Sequence, residues 1–358
     1  IARDKAATVA ILNRWRQRVG GRGGKPKMVI LSVSGGGLKS ATWAMQVVQR
    51  MDSLLAGRLL DQTVLITGAS GGMMGMAYLR ELYLQKQLGQ PIDLYHKRYL
   101  DNLSKDLLNS IAFTLVSNDL FLPWAKFETG GHVYRKDRGY MFERQFNENT
   151  GYVLDKPLAA YAEPEREALI PMLYVTPAIV NDGRRLIISP QGATFMMTPP
   201  IGVERLNAVE IDAVDFRWLL QEQDADNLRF PSAIRMNATY PYILPSVHLP
   251  THPAIEVMDA GFRDNYGLLS ATRFIQVFKD WILEHTSGVV LVQISSTEKI
   301  EDITPSDQKG IIESLFNPLG IPRQLTSLQE FEHDNSLGFL YDLLGEDHFH
   351  SIRFIFRP

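Results

Sequence analysis

The stretch Thr63-Val64-Leu65-Ile66-Thr67-Gly68-Ala69-Ser70-Gly71-Gly72-Met73 decides how this chain reads. Its first five residues form an apolar, β-branched run of strand length, and Met73 to Leu88 has the composition of a long helix. Gly68-Ala69-Ser70-Gly71-Gly72 therefore sets a G-x-S-x-G at a strand-to-helix junction, the pattern of a nucleophile elbow. A serine projecting from so tight a turn needs neighbours too small to collide with the backbone facing it. The following helix aims its N–H groups and dipole at any developing oxyanion. Ser70 is thus the first candidate catalytic residue.

Upstream, Lys27 to Ser34 reads as another strand, nearly continuous in apolar residues as expected in a parallel sheet covered on both faces. Gly35-Gly36-Gly37 turns the chain into a helix from about Lys39 to Leu55, ended by Gly57. Two successive strand–turn–helix units imply an α/β sandwich. Downstream, Leu173 to Ile179 and Arg185 to Ser189 flank the hairpin signal Asn181-Asp182-Gly183. Helices are expected over about Ala208 to Gln221, from near Ser232, over Tyr266 to His285, and over Arg323 to Leu344. Ile255 to Met258 reads as a short strand, Val289 to Ser295 as a buried one, and Ser351 to Phe356 as a closing edge strand. Ile111 to Trp124 is apolar without a firm period and reads as core or as a lid. No internal repeat is visible.

The 358 residues, 45% hydrophobic and 22% charged, suit a globular enzyme with a large core. The absence of cysteine excludes disulfides and thiolate metal sites. No apolar run approaches the ~18 residues that span a bilayer. Isoleucine stands first, so the native N-terminus and any targeting segment are left open. Net charge is −3, but residues 1 to 27 carry eight basic side chains (Arg3, Lys5, Arg14, Arg16, Arg18, Arg22, Lys25, Lys27) against Asp4 alone. Val9, Leu12, Trp15 and Val19 lay an apolar stripe along this basic segment. It reads as a terminal helix docked on the domain, or as a membrane-surface helix drawn to anionic headgroups. The second reading would suit the cytoplasmic face of a membrane. No basic field continues past residue 27, which speaks against nucleic acid. The expected organisation is a basic amphipathic helix with a glycine-rich joint (1–27), followed by one domain (28–358).

A serine hydroxyl needs a base at neutral pH. Of eight histidines, His285 lies near a helix end, His333 within a helical stretch, and His348 and His350 in a polar turn. None follows a strand end with small residues around it. Asp259 does: it comes directly after a short apolar strand, and Ala260 and Gly261 leave room for a close approach. A carboxylate can serve as base when it is hydrogen-bonded to the serine and shielded from water. The oxyanion needs donors, and Ser34-Gly35-Gly36-Gly37-Leu38-Lys39 exposes backbone N–H groups at a helix N-terminus. This run lacks both the G-K-[ST] ending of a P-loop and the G-x-G-x-x-G spacing of a dinucleotide site.

Together these segments resemble the patatin-like and cytosolic phospholipase A family of acyl hydrolases. Gly35-Gly36-Gly37-Leu38-Lys39-Ser40 is similar to its glycine-rich oxyanion loop, Gly68-Ala69-Ser70-Gly71-Gly72 to its G-x-S-x-G, and Asp259-Ala260-Gly261 to its D-G-[GA]. Asn237-Ala238-Thr239-Tyr240-Pro241-Tyr242-Ile243-Leu244-Pro245 resembles the alanine- and proline-containing segment that precedes the aspartate, and the order agrees over about residues 28 to 295. The chain departs from the pattern at Ser40, where Gly or Ala is usual, and at Ala260, which replaces a Gly.

The resemblance implies a three-layer α/β sandwich with a mainly parallel central sheet. It also implies a lipid acyl hydrolase of phospholipase A or lysophospholipase type, working through a Ser70–Asp259 dyad and an acyl-enzyme. Gly35, Gly36, Gly37 and Gly71 would form the oxyanion hole, and Lys39 would draw a lipid phosphate or carboxylate. The partner is then a phospholipid or other lipid ester, met through peripheral membrane contact. No metal or cofactor is implied, calcium included, for want of an EF-hand loop or carboxylate cluster. Two alternatives stand beside this: an α/β-hydrolase-type esterase with a Ser–His–Asp triad using His285 or His348, and a non-catalytic lipid-binding member of the fold.

Overall fold

β1 (Met28–Val33) is buried along its whole length, and its side chains divide between two cores. Val29, Leu31 and Val33 face one apolar cluster, while Met28 and Ile30 face the other. That division is the period-2 alternation of a strand covered on both faces. A computed structural model describes residues 1–20, 24–107, 126–129, 132–135, 137–197, 211–241, 243–297 and 321–357. The Ile111 to Trp124 segment lies outside them.

The other strands are β2 (Thr63–Gly68), β3 (Lys126–Thr129), β4 (His132–Arg135), β5 (Met172–Val175), β6 (Ala178–Ile179) and β7 (Arg185–Ile187). After them come β8 (Ala213–Asp215), β9 (Val247–His248), β10 (Glu256–Met258), β11 (Val289–Ser295) and β12 (Phe349–Ile355). The central sheet runs β12-β11-β1-β2-β5 and is parallel throughout. Helices Gly37–Leu54 and Ser70–Gln87 cover one face, and Leu268–Val277 with the ends of Ala2–Val19 and Ile321–Leu344 cover the other. A smaller sheet, β8-β7-β6-β10-β9, stands beside it, and β3 pairs with β4 alone.

Because the central strands are parallel, their C-terminal ends share one edge. Ser34 to Gly37 follow β1, Ser70 follows β2, Thr176 follows β5 and Ser296 follows β11. Open α/β sheets bind ligands at this edge. The chain leaves β5 at Thr176-Pro177 and continues as β6 in the smaller sheet, where Ala178 and Ile179 pair antiparallel with Met258 and Val257 of β10. This link carries the residue after β10, Asp259, to the C-terminal end of β2.

Several elements differ from the sequence expectation. The run Leu173 to Ile179 is two strands in two sheets, because Pro177 has no N–H to continue a ladder. Within Ala208 to Gln221, residues 213–215 form β8 beside β7, and Asp215 then caps a one-turn helix by accepting the Trp218 N–H at 2.7 Å. Tyr266 to His285 is two helices, Leu268–Val277 and Lys279–His285, broken at the buried Phe278, which packs on Phe274 and Phe195. The late helices expected over Arg323 to Leu344 are a single one, Ile321–Leu344, and β12 is an edge strand, as expected.

The N-terminal helix Ala2–Val19 buries Ile11, Leu12 and Trp15 in the second core. Trp15 Nε1 donates to the Asp61 carbonyl at 3.1 Å, and Asp4 accepts the Thr194 N–H at 3.3 Å. The apolar stripe therefore faces the domain; Arg3, Lys5 and Arg14 are exposed, whereas Arg16 and Arg18 are half-buried beside His285 and Asp61. Among the described residues no helix is long and apolar enough to cross a membrane.

Candidate active site

β2 ends at Gly68, Ala69 is extended, and Ser70 opens the helix Ser70–Gln87 with φ at +48°. A non-glycine residue in this left-handed region costs on the order of 1–3 kcal/mol, so the surroundings must enforce it. They do so by close backbone approach. The Ala69 N–H donates to the Val33 carbonyl of β1 at 3.0 Å. A Cβ on Gly68 would stand 2.1 Å from that same oxygen, and one on Gly71 only 1.8 Å from the Gly37 carbonyl. The small residues of the pentapeptide are what let the serine turn sit between β1 and the glycine loop.

The glycine loop is shaped by buried hydroxyls. Ser40 donates to the Ser34 carbonyl, and Ser296, at the end of β11, donates to the Gly35 carbonyl. With these oxygens tied down, Gly36 caps the helix Gly37–Leu54 with φ at +135°, and both Gly36 and Gly37 are exposed. The first N–H groups of a helix have no carbonyl partner within it and are free to meet an anion. Ser40, which departs from the Gly or Ala of the pattern, is thus a structural hydroxyl. Gly35 behaves differently from the expectation that all three glycines offer donors. Its N–H is taken by the backbone oxygen and Oδ1 of Asn265, both at 3.2 Å. Its contribution is space, since a Cβ there would lie 3.3 Å from that of Ser70. Lys39 is exposed at the loop's rim, with its ammonium 5.2 Å from the centre of the Phe356 ring.

Asp259 is 2% exposed and faces Ser70. Its Oδ1 accepts the Gly261 N–H at 2.7 Å, whereas Oδ2 is buried without a well-aligned partner. Burial raises its pKa from 3.8 to about 6, against the Gly261 N–H and the Ser70 hydroxyl, which favour the charged form. The result is a buried carboxylate beside the serine, with Oδ1 held by the backbone and Oδ2 free of a well-aligned hydrogen-bond partner.

Two residues brought here were not singled out from the sequence. Asn237, fully buried, donates to the Gly68 carbonyl at 3.3 Å and accepts the Thr176 N–H at 2.9 Å. Its own carbonyl accepts the Ala260 N–H at 3.2 Å, so it ties the serine strand to the aspartate loop. Gln329, from the helix Ile321–Leu344, reaches Gly261 and Asn265. Asn237 stood in a recognisable segment; Gln329 sits in a helix with no motif around it.

His285 and His348, the candidate triad bases, lie elsewhere. They flank the N-terminal ends of β11 and β12, with Arg16 beside His285 at 2.8 Å and the His348 carbonyl accepting the Val289 N–H. A strand of this length separates them from the Ser70 edge by ~20 Å. His333 bonds Gln293 and Asp334, and burial lowers its pKa. Among the described residues, Glu330, His333 and Asp334 bring ligand atoms within 4.8 Å of one another. Glu330, however, is engaged by Arg353 and Tyr266 in a closed polar network.

A family model described as patatin-like phospholipase matches residues 31–272. No curated protein matches the chain. Among solved structures, human GIVD cytosolic phospholipase A2 in complex with methyl gamma-linolenyl fluorophosphonate is 15% identical with a TM-score of 0.43, over 82% of this chain and 44% of that one. Another structure of human GIVD cytosolic phospholipase A2 is 12% identical with a TM-score of 0.38, over 82% and 50%. VipD from Legionella pneumophila is 11% identical with a TM-score of 0.32, over 78% and 51%. The chain spans about half the length of these solved structures.

Proposed function

Because this chain belongs to the patatin-like phospholipase family, we propose that it hydrolyses lipid carboxylic esters, with Ser70 as nucleophile and Asp259 as base. The observation that carries the reading is the buried Asp259 carboxylate, whose Oδ2 lacks a well-aligned partner and which faces a serine held at φ +48°. Ser70 Oγ attacks the ester carbonyl while its proton passes to Asp259. The carbonyl electron pair moves to oxygen, and the oxyanion is received by the N–H groups of Gly36, Gly37 and Gly71. The tetrahedral species collapses, the alcohol departs with the proton from Asp259, and an acyl-enzyme remains. Water then gives its proton to Asp259 and attacks the acyl carbon, and as the second tetrahedral species collapses Asp259 returns that proton to the departing Ser70 oxygen, releasing a fatty acid. Each oxyanion donor in such a site is typically worth ~10²–10³ in rate, so the loop should be nearly as sensitive as the dyad.

Lys39, exposed beside this loop, is proposed to draw the phosphate or carboxylate of the lipid toward the nucleophile. Contact with a lipid surface would then run through the rim around Gly36, Gly37 and Lys39. The N-terminal helix is the weaker route, since its apolar stripe is already buried. The test is intact-protein mass after exposure to a fluorophosphonate, for wild type and Ser70→Ala. A single adduct that disappears in the variant is expected. No adduct under conditions that label a control serine hydrolase would refute the reading and leave lipid binding without catalysis.

A further inference from the structure

The segment after Asp259 makes one helical turn, Gly261–Asp264, and then reaches Asn265. In a continued helix the Asn265 N–H would donate to the Gly261 carbonyl four residues back. Here a side chain stands between them. Gln329 Oε1 accepts the Asn265 N–H at 2.8 Å, and Gln329 Nε2 donates to the Gly261 carbonyl at 2.9 Å. The carboxamide thus replaces a backbone hydrogen bond with a two-bond bridge and holds the turn open.

Both ends of the opened turn touch the site. At one end the Gly261 N–H lies on Asp259 Oδ1. At the other, the carbonyl and side-chain oxygens of Asn265 take up the Gly35 N–H, which seats the glycine loop above Ser70. We infer that Gln329 is a positioning residue for the proposed Ser70–Asp259 chemistry, holding the aspartate and the glycine loop in register from a helix beyond the family-matched segment. It acts through Gly261 and Asn265 and touches neither reacting atom, and the inference rests on the proposed function.

The helix that carries Gln329 is pinned beside the loop. Its neighbour Glu330 accepts two bonds from Arg353, at 2.7 and 3.0 Å, and one from the Tyr266 hydroxyl. Leu340 and Leu344 anchor its far end in the core. Gln329 is 9% exposed, so water competes little for its bonds. A carboxamide supplies both a donor and an acceptor at this reach, whereas a carboxylate cannot donate and an ammonium cannot accept. Without the bridge the turn can close on itself, drawing Gly261 or Asn265 from its present partner. Displacements of ~1 Å at a reacting group can cost on the order of 10²-fold in rate.

Of the titratable groups around the loop, His333 packs edge-on against Tyr266 and bonds Gln293 and Asp334, with its pKa lowered by burial. Arg263 pairs with Glu332 at 3.6 Å, Asp264 lies 3.9 Å from Arg185, and Glu330 is neutralised by Arg353. Because Gln329 makes no bond to His333 and methionine adds no charge, a change in the acid limb of Gln329→Met would report the Gly261 N–H bond to Asp259.

The experiment measures second-order fluorophosphonate inactivation of the full chain between pH 5 and 9, with thermal melting in parallel. The variants are Gln329→Met, which keeps length without hydrogen bonding, Gln329→Glu, which keeps only the acceptor, and Leu328→Ala, an exposed neighbour on the same helix. Gln329→Met is expected to react at least ~10-fold more slowly, with its acid-limb midpoint moved to higher pH. Gln329→Glu should also be slowed, and Leu328→Ala should match wild type. Wild-type rate and midpoint in both Gln329 variants would overturn the inference while leaving the dyad intact. So would equal slowing in Leu328→Ala, since helix docking would then be the cause. An unlabelled wild type would remove the proposed function and this inference together.

Discussion

Replacing Asp259 by asparagine is expected to abolish turnover and, at the same time, to stabilise the fold. The reasoning starts from burial, which raises the carboxyl from 3.8 to about 6 although the Gly261 N–H and Ser70 both oppose it. The folded-state pKa is above the unfolded value, so folding favours the protonated form. This group's stabilising contribution is complete below about pH 4 and is lost as pH rises through about 6. At pH 8 the wild type holds a buried charge at a cost of about 3 kcal/mol, roughly two pKa units at 1.36 kcal/mol each. Asparagine removes the charge and keeps an oxygen for the Gly261 N–H. With unfolding entropy near ~2.1 cal/mol/K per residue over a chain of this length, 3 kcal/mol corresponds to a rise in Tm of about 4 °C. Circular dichroism melts of Asp259→Asn and wild type from pH 4 to 8 should show the gap open through pH 6 and close in acid. Wild-type ester hydrolysis should rise over the same interval as the base ionises. An asparagine variant no more stable than wild type at pH 8, or a gap independent of pH, would refute the assignment of burial as the dominant cause. Near wild-type hydrolysis in that variant would remove Asp259 as the base.

The strain at Ser70 has its own signature. Ser70→Gly should lose fluorophosphonate labelling yet melt higher than Ser70→Ala, by the ~1 kcal/mol or more that a left-handed φ of +48° costs a residue with a Cβ; equal melting of the two would show the turn to be unstrained. Glu165→Gln tests the ion pair that joins the elbow helix to the short helix Ala162–Arg166, whose Glu165 also accepts the Leu173 N–H of β5. Arg80 and Glu165 are both fully buried, and Arg80 Nε also donates to the Pro171 carbonyl at 2.8 Å. Leaving the guanidinium without its carboxylate should destabilise the protein by about 3–5 kcal/mol in urea titrations, and a loss below 1 kcal/mol would mean the pair contributes little.

What could be read without coordinates was whatever short-range chemistry enforces. The apolar runs of β1, β2 and β11 must be buried on both faces, and Gly35-Gly36-Gly37 and Gly68-Ala69-Ser70-Gly71-Gly72 can be used only where backbone passes close to backbone. Their order along the chain was enough for the parallel sheet and the serine elbow. The failures were of another kind. Residues 213–215 and the break at Phe278 follow the demands of neighbouring strands and rings, which outweigh local helical preference. The apolar stripe of the basic N-terminal helix could be read as docked on the domain or on a membrane surface, and the contacts of Trp15 with Asp61 and of Asp4 with Thr194 set it on the domain.

By itself, then, the sequence determined the α/β class, the strand-to-helix elbow at Ser70 and the glycine loop, because each is encoded in a few consecutive residues. Only the tertiary structure decided that Gly35 offers space where Gly36 and Gly37 offer exposed backbone. It alone brought Asn237 and Gln329 to the loop that carries Asp259. Asn237 bonds Gly68, 169 positions away, and Gln329 bonds Gly261, 68 positions away. A hydrogen bond needs a partner within about 3 Å, and nothing in the spacing of residues so far apart announces which pair the folded chain will bring that close.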